Sequence, residues 1–571
     1  MDTYLPNIIL KKIFEYRIDL ECSLTHYYQL IKTFILISKR IQLEVLPKVR
    51  YSYRFTIDCS QPKEINLLKN LNKLTGIGDL QYSMELPLTE ITSFVNSDIG
   101  DQIYKRITQL DMRIGDRHNM RPEILDKFVN LHRSCFTLSL RPKDMSVIHQ
   151  APYDRFKVNE VELLVPTLQI DDSLFHLLFN SNSISLIFMY GMDISIPKSI
   201  QLSSGFSGNI NLTELRLSNV KMKSNDTALL ISKSVSLQKL VLNNIRFLDE
   251  QPTPILDAVI QLQNLQRFVF ISGKIQLKDT VYLLNNLKCQ DVMVNIDTLQ
   301  CEQNENLLAT INNPFIKNFC FSKIVTLFNH PQRDFNFITI WRQLSALETI
   351  EIVPNTDHQW ASIVYKLTNL KSIKIIEDFY PDSTQLFISD LVSANLPKLT
   401  SISIENSQYH NVELKSISLS HNHFINSITI GYISFQEILK ILELEVTRQT
   451  LMLFSVSYVI TVGTESLSEL IPFIVKNKVL HTINIKRRMG TKEKLFNVYN
   501  SILYILKNNS NIRNISFPNK GKLSEDTHNE YKLLLQSDRI LNLWHIGLSF
   551  FNRPDLTSIL IQSSISSNTP Q

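Results

Sequence analysis

The chain has 571 residues, 44% of them hydrophobic and 20% charged, and its 59 Lys and Arg against 54 Asp and Glu leave a net charge of +5. That composition supplies ample material for a continuous apolar core, while the interspersed charges exclude the basic stripe that nucleic-acid binding requires and give no support to membrane affinity. Cys22, Cys59, Cys135, Cys289, Cys301 and Cys320 form no Cys-x-x-Cys pair and have no His at ligand spacing, so neither a zinc site nor a disulfide framework is indicated, and no cofactor is expected.

The first residues, MDTYLPNIIL, carry an early acid and lack the positive region and unbroken apolar run of a signal peptide, and nowhere do about 18 apolar residues follow one another. The expectation is a cytoplasmic protein that can also be nuclear. In LPNIILKKIFEY, Pro6 suits the first turn of a helix, and Ile9 with Ile13 and Leu10 with Phe14 fall at i and i+4. A second helical pattern, YYQLIKTFILISK, pairs Leu30 with Phe34 and Ile31 with Ile35. Ser38 can cap a third, SKRIQLEVLPK, that stops near Pro47. Three short helices in about 45 residues hold too little core to be stable alone and call for a partner or a neighbour.

Those residues resemble the F-box. Leu5, Pro6, Asn7, Ile8, Ile9, Ile13 and Phe14 stand at the places of its opening segment, and Leu36, Ser38, Lys39 and Arg40 at those of its later segment. Asn7 replaces the common acid, Ile41 stands where Trp or Phe is usual, and the middle segment is longer than normal. The resemblance implies docking on the Skp-type adaptor of a cullin ubiquitin ligase, with Leu5, Pro6, Ile9 and Ile13 as the adaptor-binding edge. The residues by themselves allow a plainer reading, a helical cap that shields the first repeats from water.

Farther along, a Leu-x-x-Leu-x-Leu frame recurs about every 27 residues, the self-similarity of a repeat protein. Its clearest copies are LTELRLSNV from Leu212 and LQKLVLNNI from Leu237, and further copies open at Leu265, Cys289, Ile316, Leu347, Leu370, Leu399, Ile425, Leu451, Leu480, Ile512 and Leu541. Weaker ones open at Ile107, Arg133, Val158 and Ile184. In a strand the fourth and sixth positions share a face, so Leu215 and Leu217 point inward and Arg216 outward. Helical periodicity flanks the frame from Pro254, Phe337, Trp360, Phe435 and Leu495. Each repeat therefore reads as a strand plus a helix that only stacking can bury.

This pattern resembles the leucine-rich-repeat family with a helix in each unit. It implies an α/β solenoid, a parallel concave sheet with convex helices, preceded by the small helical F-box-like module. The expected divisions are 1–48 for that module, 49–106 for a linker and irregular capping repeats, 107–560 for the solenoid and 561–571 for a polar tail. The family's Asn at the eighth position, which bonds the backbone of the next turn, is met only in a few units, Asn219, Asn244 and Asn406 among them. The longer gaps imply extra turns on the convex side.

No constellation of catalytic residues emerges. Gly76-Ile77-Gly78 and Gly521-Lys522 are incomplete phosphate loops. His421-Asn422-His423 names no third metal ligand, and Lys486-Arg487-Arg488, just after a predicted strand, reads as a solvated loop that could meet an acidic partner. The outward fifth positions run Phe188, Arg216, Val241, Val269, Met293, Cys320, Glu351, Lys374, Ser403, Thr429. Val241, Val269, Met293 and Cys320, with Ile271 beside them, form a candidate target-binding patch about 15 Å long. With the F-box resemblance, the expectation is a non-enzymatic substrate-recognition subunit of a ubiquitin ligase that binds a protein target and neither nucleic acid nor membrane. The alternative is a leucine-rich-repeat scaffold or regulator, for example of a small GTPase, without a ligase connection.

Overall fold

The computed structural model describes short segments before residue 160 and, beyond it, chiefly 160–169, 184–195, 211–249, 253–300, 310–321, 334–354, 360–377, 381–406, 419–461, 465–489, 498–518 and 524–536. Leu5, Pro6, Ile9 and Ile13 lie outside the described residues. Of the third expected N-terminal helix, Ile41–Val45 is described and is helical. The chain divides into two compact units, Met1–Ser272 and Gly273–Gln571.

The first unit carries a parallel ladder of β1 (Thr56–Asp58), β2 (Ser83–Pro87), β3 (Gln109–Ile114), β4 (Phe136–Leu140), β5 (Glu160–Leu163), β6 (Leu186–Tyr190), β7 (Glu214–Ser218), β8 (Lys239–Asn243) and the first half of β9 (Arg267–Gln276). In the second, β10 (Asp291–Gln300), β11 (Asn318–Cys320), β12 (Thr349–Ile352), β13 (Ser372–Ile376), β14 (Ser401–Glu405), β15 (Ser427–Ser434), β16 (Leu453–Ile460), β17 (Thr482–Met489), β18 (Asn514–Ser516) and β19 (His545–Ile546) pair in the same parallel sense. This is a leucine-rich-repeat solenoid, and the ladder is already under way at Thr56, within the segment expected to hold a linker and irregular capping repeats.

The hydrophobic frame sets the register. Ile187, Leu215, Leu240 and Phe268 are paired across successive strands, as are Ile350, Ile373, Ile402, Ile428, Phe454, Ile483 and Ile515, and all are buried. Columns of this kind bury about 1.5 to 3 kcal/mol per side chain against the exposed state. The second unit favours Ile over Leu at these places, and β-branched side chains fit the pleated surface. Two of the weaker copies are misplaced by the sequence reading. Leu138 pairs with Val161 and Met112 with Leu138, so the frame there opens two residues later than Arg133 and Ile107. An offset of two leaves the period-two alternation of the sequence reading in phase.

The return segments are less uniform than one helix per repeat. Helices α1 (Ser224–Ser232), α2 (Thr253–Ile260), α3 (Leu277–Asn286), α4 (Trp360–Val364), α5 (Pro381–Ser393), α6 (Phe435–Glu443), α7 (Glu445–Thr450), α8 (Ile471–Lys476), α9 (Val498–Asn508) and α10 (Glu525–Gln536) are present, but the pattern from Phe337 forms only two 3-10 turns, Phe337–Ile340 and Leu344–Ala346. Nor does the long gap before Leu347 hold only convex turns. It contains an added strand, Val325–Phe328, which pairs with the end of β10 and with Asp334–Phe335. In the first unit a second small parallel ladder joins Thr167–Gln169, Asp193–Ser195, Lys221–Met222 and Arg246–Phe247.

Asparagine shapes the connections in two ways. The corners after β6, β7 and β8 are left-handed: Gly191, Asn219 and Asn244 have φ of 68°, 53° and 51°, a conformation that Gly and Asn tolerate best. Contrary to the sequence reading, the Asn219 and Asn244 side chains are exposed and bond each other (Nδ2 to Oδ1, 2.7 Å) instead of the next turn's backbone. Asn406 does what was expected. Its Nδ2 donates to the Tyr432 carbonyl (2.6 Å) and its Oδ1 accepts from the Tyr432 amide (2.7 Å). A Cβ on Gly431 would sit 2.9 Å from that Oδ1, so the glycine leaves room for the clamp.

A further asparagine position lies three residues before the frame. Asn313, Asn422, Asn477 and Asn509 are buried. Each turns its Nδ2 back to carbonyls of the preceding repeat, at Leu284 and Leu287, at Val392, at Thr447, and at Ile474 and Asn477. Each Oδ1 accepts amides of its own turn, such as Val479 and Leu480 for Asn477. Each reaches the end of an α-helix in the preceding repeat, α3, α5, α7 or α8, where the chain leaves its helical hydrogen bonding. Before Leu370 and Leu399, where the preceding returns are 3-10 turns or the five-residue α4, the same position is Leu367 and Leu396.

Candidate functional site

Residues between the inward pairs share the opposite face of the sheet. In the first unit the in-register outward row is Phe188, Arg216, Val241 and Val269. In the second it is Met293, Cys320, Glu351, Lys374, Ser403 and Thr429, continuing through Ser455, Asn484 and Ser516. The strand order and face agree with the sequence reading. Val241, Ile271, Met293 and Cys320 are half-buried. Val269 differs: it stands on the outward side between Phe268 and Phe270, yet is covered to 7% exposure. Val241, Val269 and Ile271 belong to the first unit, and Met293 and Cys320 to the second.

Ion pairs between neighbouring strands neutralise part of each face. Glu214 receives Lys239 Nζ at 2.6 Å and also contacts Arg216. Burial would raise the pKa of Glu214, but the hydrogen bonds and charges of Arg216 and Lys239 outweigh it and hold the carboxyl below its ordinary 4.5. Glu348 meets Lys371 at 2.6 Å and Lys317 at 3.7 Å, and the Lys371 hydrogen bond chiefly draws its pKa down. Lys374 lies between Glu351 (3.5 Å) and Glu405 (3.1 Å). Partial burial works against its charge, and the two carboxylates prevail, so its pKa is raised.

The far end of the second unit is different. Sequence reasoning placed Lys486-Arg487-Arg488 after a strand, whereas these residues lie within β17, which runs to Met489. Three adjacent strands continue together past Gly431, Ser457 and Lys486, so Tyr432, Tyr458 and Arg487 form one row. The tyrosine rings stack at 4.5 Å and 4°. The Arg487 guanidinium is 5.5 Å from the Tyr458 ring centroid, and its Nη1 donates to the Tyr458 hydroxyl at 2.9 Å. The signal was present as a Tyr or Arg seven residues after each opening, but a strand of that length was not expected.

The histidine pair belongs to the asparagine turn. His421 and His423 are exposed on either side of the buried Asn422, and His421 contacts Ser420. Among the described residues no group of three His, Cys, Asp or Glu is placed to hold a metal ion. No described helix is long and apolar enough to cross a membrane. Cys289 and Cys320 are free thiols.

No family model matches the chain, and no curated protein matches it. Solved structures similar to it include a TLR13 complex with ssRNA13 (13% identity, TM-score 0.41, 82% of this chain and 62% of that one). Others are an LRR protein of Leptospira interrogans (13%, 0.32, 72% and 88%) and the plant peptide hormone receptor RGFR1 in complex with RGF2 (12%, 0.24, 88% and 86%). The chain spans about three fifths of the length of the TLR13 chain. Likeness at this level adds nothing to what the strand ladders themselves show.

Proposed function

We propose that the protein is a non-catalytic recognition protein that binds a protein target on the outward face of its sheet. The observation that carries this reading is the solvent access retained by the outward row on successive strands of the second unit, Met293, Cys320, Glu351, Lys374, Ser403 and Thr429. Accessible apolar side chains bordered by polar ones have the anatomy of an interface centre with its rim. Met293 and Cys320 are the proposed contacts there, with Glu351 and Lys374 at their border. In the first unit the proposed contacts are Val241 and Ile271, for which the covered Val269 is support.

The finer reading is a substrate-recognition subunit of a Skp-cullin-F-box ubiquitin ligase, with residues 1–48 docking the adaptor through Leu5, Pro6, Ile9 and Ile13. It rests on the sequence resemblance of that segment. The test is capture from cell extract by the full chain, by a chain lacking residues 1–48 and by Ile9→Asp, probed for the Skp-type adaptor and cullin. The reading requires adaptor and cullin on the full chain alone, because an unpaired charge in the docking edge is costly. Equal recovery by all three, or none by any, removes the ligase connection and leaves a leucine-rich-repeat scaffold.

A further inference from the structure

We propose that the outward face of β15 to β18 binds an extended acidic segment of the partner protein, with Lys486 and Arg487 as its anion-binding edge. The proposal rests on the reading of the sheet as a recognition surface and names the chemistry of what is recognised. Its basis is a contrast along one ladder. From β12 to β14 the outward cation Lys374 is held by Glu351 and Glu405, and just before β11, β12 and β13 Glu348 matches Lys317 and Lys371. Glu405 is the last such acid. The strands Ser427–Ser434, Leu453–Ile460, Thr482–Met489 and Asn514–Ser516 contain no Asp or Glu.

What they offer outward is hydroxyl and amide, in the row Thr429, Ser455, Asn484, Ser516. At its border Lys486 and Arg487 are exposed, and neither makes an ion pair with a described residue. Arg487 is also held in place. Its guanidinium lies against Tyr458, and Tyr458 is stacked on Tyr432. The backbone of Tyr432 is in turn clamped by the buried Asn406. A planar donor fork fixed before binding loses little freedom when it donates to a carboxylate.

Four strands at about 4.8 Å spacing give a face of about 14 Å, the length of about four extended residues at about 3.4 Å each. A short acidic stretch fits that span. A nucleic acid fits less well, because the two tyrosine rings already face each other at 4.5 Å with Arg487 next in line, which leaves no slot for a base between them. Two cations are also few against a phosphate backbone.

The probe is a fluorescent Glu-Ser peptide of about ten residues, titrated by anisotropy against the full chain, with a Lys-Ser peptide and a single-stranded RNA of similar length alongside. The wild type should bind the acidic peptide in preference to both and less tightly as salt rises. Lys486→Gln with Arg487→Gln should weaken binding at least about tenfold with an unchanged melting temperature, since both side chains are exposed. Lys507→Gln, on α9 and already matched by Glu530, should bind within about twofold of wild type. Arg487→Lys, which keeps the charge and loses the fork, should fall between. Undiminished peptide binding by the double variant, or a wild type that prefers RNA or binds neither, overturns the proposal. Capture from extract with the same proteins separates the two readings. Targets recovered equally by wild type and double variant sink the acidic-segment proposal alone, whereas an absence of captured protein with the peptide result intact sinks the target-recognition reading and leaves the anion site.

Discussion

At the scale of single residues, the alternation of the repeat frame tells core from surface, and substitution reads it directly. Leu215→Ala, Leu240→Ala and Ile373→Ala should each destabilise by about 2 to 5 kcal/mol in chemical denaturation, as buried large-to-small changes do. The outward row is not uniform in this respect. Met293→Asp should leave the melting temperature nearly unchanged, while Val269→Asp should lower it clearly, because a carboxylate there enters a covered site. Alternation predicted the face of Val269 correctly and could not predict its cover, since burial on an outward face depends on neighbours far apart in sequence. Asn477 is the opposite case. Its sequence context, Asn-Lys-Val-Leu, is undistinguished, yet its amide joins two repeats. Asn477→Ala should cost about 2 kcal/mol by stranding the Val479 and Leu480 amides.

At the scale of elements, strands were more legible than their returns. An inward pair needs only a period of two, which survives in every copy from Val158 to Ile512. The returns mix α-helix, 3-10 turn and an added strand, and a helical pattern such as that from Phe337 does not distinguish the first two. The ion pairs that cross strands give a pH signature. Glu214 titrates below its ordinary 4.5 in the folded chain, so its pairing stabilises fully above that value and is lost as pH falls through the lowered one. Melting temperature should therefore decline on acidification below about 4.5, and Glu214→Gln should shrink that decline; at this exposure the effect is at most about 1 kcal/mol. Lys374 has the reverse sign. Its own titration contributes in full below 10.5 and is lost as pH rises through its raised value, so Lys374→Gln should shrink the decline on the alkaline limb.

At the scale of the molecule, repetition made the fold legible because a solenoid uses one rule many times, and an error in one copy leaves the others intact. The candidate site was legible only in part. The outward row followed from alternation, but the Tyr432, Tyr458 and Arg487 stack needed three strands to continue together beyond the frame, which no single repeat reveals. The buried asparagines have a consequence for how the second unit comes apart. Asn422, Asn477 and Asn509 rivet consecutive repeats by bonds that both partners must give up together, whereas at Leu367 and Leu396 the corresponding contact is apolar and carries no direction. Opening should then begin between Leu347 and Leu399 and leave the block from Leu451 on, whose turns Asn477 and Asn509 join, closed as one cooperative body. Native-state hydrogen exchange tests this: the amides of Leu370 and Leu399, bonded to Leu367 and Leu396 within their own turns, should exchange by a lower-energy opening than those of Ile425 and Leu480. The molecule would thus yield at a seam written by one residue type, and equal protection at all four amides would show that the rivets do not set it.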